Sequence, residues 1–254
     1  WAKVLFANLG FEEDDLASTL GSLRSAVAAA LPERIATVPL SYIDAAANHA
    51  RSIPSALPSL IEPEQPHADL AGSYLQALLA GDRREASQMI TRAVENGMDV
   101  RDVYIDVFQV SQREVGRLWQ TNKISVAQEH YCTAATQLIM SQLYPFIFGS
   151  ERKGLRFVGT CVGGELHEMG VRMVADFFEM EGWDTYYLGA NTPTRSILQT
   201  LGEQAPDVLG ISATMTFHVR RVADLIAAVR ASDVGSEIKI LVGGYPFLIS
   251  SDLW

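Results

Sequence analysis

Glu165-Leu166-His167-Glu168-Met169-Gly170 is the stretch from which the fold of this chain is read. An apolar run, Leu155 to Val162, precedes it and reads as a buried strand. An amphipathic run, Val171 to Glu181, follows it and reads as a helix. A loop between a strand and a helix lies at the carboxyl end of a parallel sheet, where open α/β sheets bind ligands. A single histidine there reads as an ordinary loop residue. Two further features lie at strand ends of the same kind. Ser212-Ala213-Thr214 closes the run Val208 to Ile211, and Gly243-Gly244 closes Ile238 to Val242. All three then face one crevice.

Working outward, residues 154–254 alternate strand and helix: Leu155–Val162, Val171–Glu181, Asp184–Leu188, Thr194–Gln204, Val208–Ile211, Val219–Ala231 and Ile238–Val242. This predicts a Rossmann-like, flavodoxin-type parallel sheet. A fifth strand and a last helix are expected after Gly244, so the domain reads as C-terminally incomplete. His218, past Thr214 and Thr216, reads as a helix-start residue in solvent.

Residues 67–150 read as a four-helix bundle. Its stripes run through Leu70, Tyr74, Leu75 and Leu78, then Ala86, Met89, Ile90 and Val94, then Val103, Val107, Val110 and Leu118, then Ala127, Tyr131, Ala134 and Leu138. Residues 1–66 read as a helical extension and a linker. Leu16, Leu20, Leu23 and Val27 mark one helix stopped by Pro32. A short helix is expected from Ser41 to Arg51. Pro54, Pro58, Pro63 and Pro66 mark an irregular connection. His49 and His67 read as solvated.

At 254 residues with 48% hydrophobic residues, the chain has material for one or two cored domains. The net charge of −10 disfavours nucleic acid as a partner. Cys132 and Cys161 sit in apolar contexts and read as reduced core residues of a cytoplasmic protein. No run is long enough for a membrane span.

The three strand-end features together resemble the cobalamin-binding domains, whose pattern is Asp-x-His-x-x-Gly, then Ser-x-(Leu or Thr), then Gly-Gly. The family's Asp is Glu165 here. The resemblance implies His167 as the lower axial ligand of cobalt, in place of the cofactor's own benzimidazole. Imidazole suits such a metal. A carboxylate on its second nitrogen fixes the tautomer and raises its basicity. With one methylene more than Asp, Glu165 is expected to give a looser or water-mediated contact. Leu166, Glu168, Met169 and Gly170 complete the motif loop. Ser212, Thr214, Gly243 and Gly244 would line the path of the displaced nucleotide tail.

Trp119, a nine-residue gap, and Glu129-His130 resemble the cap of the light-sensing adenosylcobalamin photoreceptors. That resemblance implies contacts to the adenosyl group from these three residues. It implies a sensor and no catalytic residues: photolysis of adenosylcobalamin would change a homo-oligomer and control an output domain or partner protein. The residue after Trp119 is Gln120, where the repressor branch has a cobalt-binding histidine. The missing DNA-binding head, the helical extension and Gln120 look like the photocobilin branch, which implies biliverdin as a second chromophore. The alternative reading is a corrinoid carrier module of a methyltransferase or mutase, which shares the His167 motif. A third is a degenerate domain that only dimerises.

Overall fold

The computed structural model describes residues 1–50, 52–54 and 56–253. Arg51, at the end of an expected helix, and Trp254, at the end of the expected domain, lie outside the described residues. The chain divides into two compact units: Trp1–Arg92 with Ile105–Thr136, and Ala93–Tyr104 with Gln137–Trp254.

The helical part, from Ala2 to Ile147, comprises the first unit and two segments of the second. It opens with α1 (Ala2–Asn8), α2 (Glu13–Ala30) and α3 (Glu33–Ala50). The Glu12 amide donates to Asp15 Oδ2 at 2.8 Å, closing a capping box at the start of α2. Leu31 is extended and Pro32 follows, which ends it. The short helix expected from Ser41 instead begins at Glu33 and runs through Pro39. Pro39 lies inside α3, where its ring removes the bond to the carbonyl four residues back. Next come α4 (Ala68–Leu79) and α5 (Arg83–Glu95). The expected third bundle helix is α6 (Val100–Asp102), a π-helical stretch Val103–Gln109, and α7 (Val110–Gln120). The fourth is α8 (Val126–Gln142), followed by the short α9 (Tyr144–Ile147).

The first three predicted stripes are buried through Tyr74, Leu75, Leu78, Ala86, Ile90, Val103 and Val107, but the fourth is corrected: Ala127, Tyr131, Ala134 and Leu138 are exposed, and the enclosed face of that helix lies one residue on, at Cys132, Ala135 and Ile139. Tyr74 spends its hydroxyl on Thr136 Oγ1 at 2.8 Å, and Gln112 Nε2 donates to the same oxygen at 2.8 Å. A buried hydroxyl left unpaired would be costly, so this network fixes the helix register. The proline-rich connection is pinned to α7. Glu114, buried and bidentate with Arg117, accepts from the Leu60 amide at 2.9 Å, and Arg117 Nη1 donates to the Leu57 carbonyl at 3.1 Å.

In the second unit, four parallel strands stand in the order β2-β1-β3-β4. They are β1 (Arg156–Cys161), β2 (Asp184–Tyr187), β3 (Val208–Ser212) and β4 (Lys239–Gly243). The crossovers are α10 (Met169–Met180), α11 (Thr194–Gln204) and α12 (Val219–Arg230), and α13 (Tyr245–Ile249) follows β4. One face buries Val158, Ile197, Leu201, Leu209, Val222, Leu225 and Val229. On α10, Phe178 stacks on Phe157 of β1 with ring centroids 4.2 Å apart. Burial on both faces explains the near-continuous apolar strands. The expected flavodoxin-type fold is therefore present. Its order reverses between β1 and β3, so the loops after those strands leave in opposite directions and open a crevice between them.

Candidate functional site

The register puts Cys161 beside Ser212 and Ser212 beside Gly243, in one row at the carboxyl ends of β1, β3 and β4. The loops that leave this row carry the residues singled out in the sequence. Their geometry centres on Glu165, which is 0% exposed. Its Oε1 accepts from the His167 amide at 3.0 Å and from His167 Nδ1 at 2.5 Å. Its Oε2 accepts from the Thr214 amide at 2.7 Å, the Met215 amide at 3.1 Å and His218 Nδ1 at 2.9 Å. One carboxylate thus ties the β1 loop to the β3 loop across the switch point.

Burial pushes the Glu165 carboxyl upward in pKa. The hydrogen bonds from His218, from the His167 amide and ring, and from the Met215 amide outweigh it and hold the group down at about 2. Glu165 is therefore ionised at neutral pH, and an ionised carboxylate only accepts. Both histidines must then carry their proton on Nδ1. In the neutral imidazole this tautomer places the lone pair on Nε2, on a side chain that is 57% exposed. The expectation of a loose or water-mediated contact is corrected: the longer Glu side chain reaches both loops directly.

Three further residues fix the loop that holds His167. Cys161 Sγ donates to the His167 carbonyl at 3.6 Å, and burial pushes this thiol up to about 12, so it stays protonated. Asn191 donates its amide to the Glu165 carbonyl at 2.8 Å and accepts the Gly164 amide on Oδ1 at 2.7 Å. Glu168 precedes α10 and ties the loop to its neighbours, accepting from the Ala190 amide at 2.8 Å and from Gln137 Nε2 at 2.9 Å. Met169 and Gly170 are the first residues of α10, two residues earlier than the periodicity predicted. Leu166 is 72% exposed; Met215 and Phe217 after β3, and Tyr245 and Leu248 after β4, are exposed as well. Apolar side chains therefore fringe this edge of the sheet.

The two glycines differ. A Cβ on Gly244, whose φ is +111°, would meet the Ala213 carbonyl at 2.0 Å, so the fold itself requires glycine there. A Cβ on Gly243 would meet nothing within 4 Å, so no packing within the chain demands its smallness. Ser212 is nearly buried, and Thr214 contributes its amide to Glu165.

His218 corrects the sequence reading. It is 3% exposed and bonded to Glu165, not a solvated helix-start residue. Asn191 and Gln137 were not singled out either. The pair Gly189 and Asn191, both with positive φ just after β2, marks the first in the sequence; nothing marks the second.

In the helical unit, Trp119 sits in the last turn of α7 and is 44% exposed, so it is not a core residue. Glu129, in the first turn of α8, accepts from Thr133 Oγ1 at 3.0 Å and lies 3.5 Å from Nε2 of the exposed His130. Among the described residues, no group of three or more His, Cys, Asp or Glu could hold a metal ion, and no helix is long and apolar enough to cross a membrane.

Residues 155–253 match the family model described as "B12 binding domain", and residues 70–144 match a second model of the same description. These matches support corrinoid binding. Among relatives, a 98-residue stretch is 30% identical to dimethylamine corrinoid protein 3 of Methanosarcina acetivorans, covering 39% of this chain and 46% of that protein. A corrinoid protein of Desulfitobacterium hafniense is 24% identical over 70% of this chain and 83% of its own length. The chain thus spans about half the length of the first relative. The fold is similar to that of the Methanosarcina barkeri monomethylamine corrinoid protein, with a TM-score of 0.61 at 18% identity over 71% of this chain and 86% of that one.

These findings overturn the reading as an adenosylcobalamin light sensor of the photoreceptor or photocobilin type. The sequence relatives are named as corrinoid proteins, one of them for dimethylamine, which backs the carrier alternative. The expectation of biliverdin falls with it, as does the ground for assigning Trp119, Glu129 and His130 to an adenosyl group.

Proposed function

We propose that this chain is a corrinoid carrier for methyl transfer, with Nε2 of His167 as the lower axial ligand of cobalt. The observation that carries it is one exposed imidazole, locked by a buried carboxylate, with no companion ligands among the described residues. A lone imidazole suits a metal that arrives with most of its coordination sphere already filled, as cobalt does inside a corrin ring. When bound, the corrinoid supplies the cobalt that accepts and releases a methyl group. The protein's part is to present Nε2, keep Nδ1 protonated through Glu165, and offer the apolar fringe of Leu166, Met215 and Phe217. Gly243, with open space where a Cβ would stand, leaves room for the nucleotide tail. Catalysis in this reading belongs to a partner methyltransferase.

The test is electron paramagnetic resonance of 15N-labelled protein loaded with unlabelled cobalamin and reduced to Co(II). A protein imidazole on cobalt splits each line into a doublet from spin-½ 15N; the cofactor's own base gives a 14N triplet. The doublet is expected for wild type and its loss for His167→Ala. A triplet in wild type overturns the assignment.

A further inference from the structure

We infer that the cavity lined by α9, α10 and the edge strand β2 binds a small organic ammonium, with the Asp176 carboxylate as its counter-charge. The cavity lies wholly in the second unit and has a volume of about 520 Å³. That is within the range of small-molecule sites. None of its lining residues belongs to the loops after β1, β3 or β4, so it is separate from the site around His167.

The carboxylates of this cavity are served unequally. At the rim, Arg152 pairs with Asp184 and lies 3.5 Å from Glu179, which also accepts from Thr185 Oγ1 at 2.6 Å. Asp176, one turn before Glu179 on α10, is 6% exposed and lines the cavity. Its Oδ2 accepts from the Tyr104 hydroxyl at 2.9 Å, and the Tyr144 hydroxyl faces it as well. Among the described residues it forms no ion pair. Arg172 acts on it only from a distance, because its Nη2 donates to Ser141 Oγ at 2.7 Å. A buried carboxylate with hydroxyl partners but no counter-ion is held at a cost. A cation seated in the cavity would remove that cost. The walls choose an organic cation. Tyr144 and Phe148 line the cavity as a ring pair with centroids 5.2 Å apart, and aromatic faces attract ammonium groups. A bare metal ion asks for several ligating side chains, and the described residues hold no group of three or more.

The test is calorimetric titration of the full chain with benzylammonium chloride at pH 7.5 and pH 5, at matched ionic strength. Burial and the neighbouring Glu179 push the Asp176 carboxyl up, the two hydroxyls and Arg172 pull it down, and burial prevails at about 6. At pH 5 only about a tenth of the molecules then present the carboxylate, so the affinity should be about tenfold weaker than at pH 7.5. Benzyl alcohol, of the same shape without the charge, should not bind, and magnesium chloride should not compete. Asp176→Asn keeps the shape, removes the buried charge and should abolish binding. Carboxyl 13C spectra of the wild type should show the Asp176 titration moving to lower pH when benzylammonium is bound. Equal binding of benzyl alcohol, an affinity independent of pH, or binding retained in Asp176→Asn overturns the inference. An Asp176 carboxyl signal unmoved by millimolar benzylammonium overturns it too. Tighter binding of the tripeptide Gly-Lys-Gly would assign the cavity to a protein side chain and overturn the small-molecule reading.

Discussion

Replacing Glu165 by Gln should cost about 3 kcal/mol of stability at pH 7, and the cost should fall to roughly half at pH 3. The substitution keeps the shape and removes the charge. The magnitude follows from the carboxyl itself: an ordinary glutamate titrates near 4.5, and this one near 2. That gap is equivalent to about 3 kcal/mol, at 1.36 kcal/mol per pKa unit. The folded-state pKa is depressed, so the stabilisation is complete above about 4.5 and is lost as the pH falls through about 2. At pH 3 the unfolded chain has taken up the proton and the native one largely has not, which leaves roughly half. Gln also carries two N–H groups, and on one side they would confront donors that need an acceptor. The assay is urea unfolding of the cofactor-free wild type and variant at both pH values. Cofactor is left out because a ligand bound only to the native state adds its own stabilisation. All other carboxylates are common to the two proteins and cancel in the difference. An equal difference at pH 7 and pH 3, or none at either, would refute the role given to this charge.

Asp176 behaves oppositely. Burial lifts its carboxyl to about 6 despite the hydrogen bond from the Tyr104 hydroxyl at 2.9 Å, so its ionised form destabilises the fold as pH rises from about 4 through 6. Asp176→Asn should therefore raise stability by up to about 3 kcal/mol at pH 8 and by little at pH 4; an unchanged melting temperature at pH 8 counts against it. The two glycines separate fold from ligand. Gly244→Ala should lower the melting temperature sharply, because the new Cβ meets the Ala213 carbonyl at 2.0 Å in a positive-φ residue. Gly243→Ala should leave melting unchanged and weaken corrinoid binding, as measured by cobalamin titration; the reverse pattern would show that Gly243 is needed for folding.

The sheet was legible because strands buried on both faces write themselves as apolar runs, and β1, β3 and β4 lie within a residue or so of those runs. His167 was legible from its place after β1. His218 was not: its partner stands 53 residues earlier, and no local pattern records a hydrogen bond across a switch point. Periodicity also misplaced the start of α3, which begins at Glu33 and runs through Pro39. The proline-rich connection carries no periodicity, yet Glu114 and Arg117 fasten it. The misreading of function came from Trp119, Glu129 and His130. Three polar or aromatic residues at helix ends recur for many reasons, whereas the strand-end features tie function to a register.

Glu165 cannot itself bind a metal while it does its present work, because both oxygens are committed to donors. His167 is then left to act alone, and that isolation is informative. A bare divalent ion on one exposed imidazole competes with water for its remaining positions and gains little from the protein. Sites that retain such ions gather three or four side chains. An ion already held in a macrocycle asks for one axial nitrogen only, of defined tautomer and direction. Under the proposed reading, the protein's polar groups orient the imidazole rather than surround the metal. Selection would then work through coordination number, with the five donors on Glu165 making a single ligand sufficient.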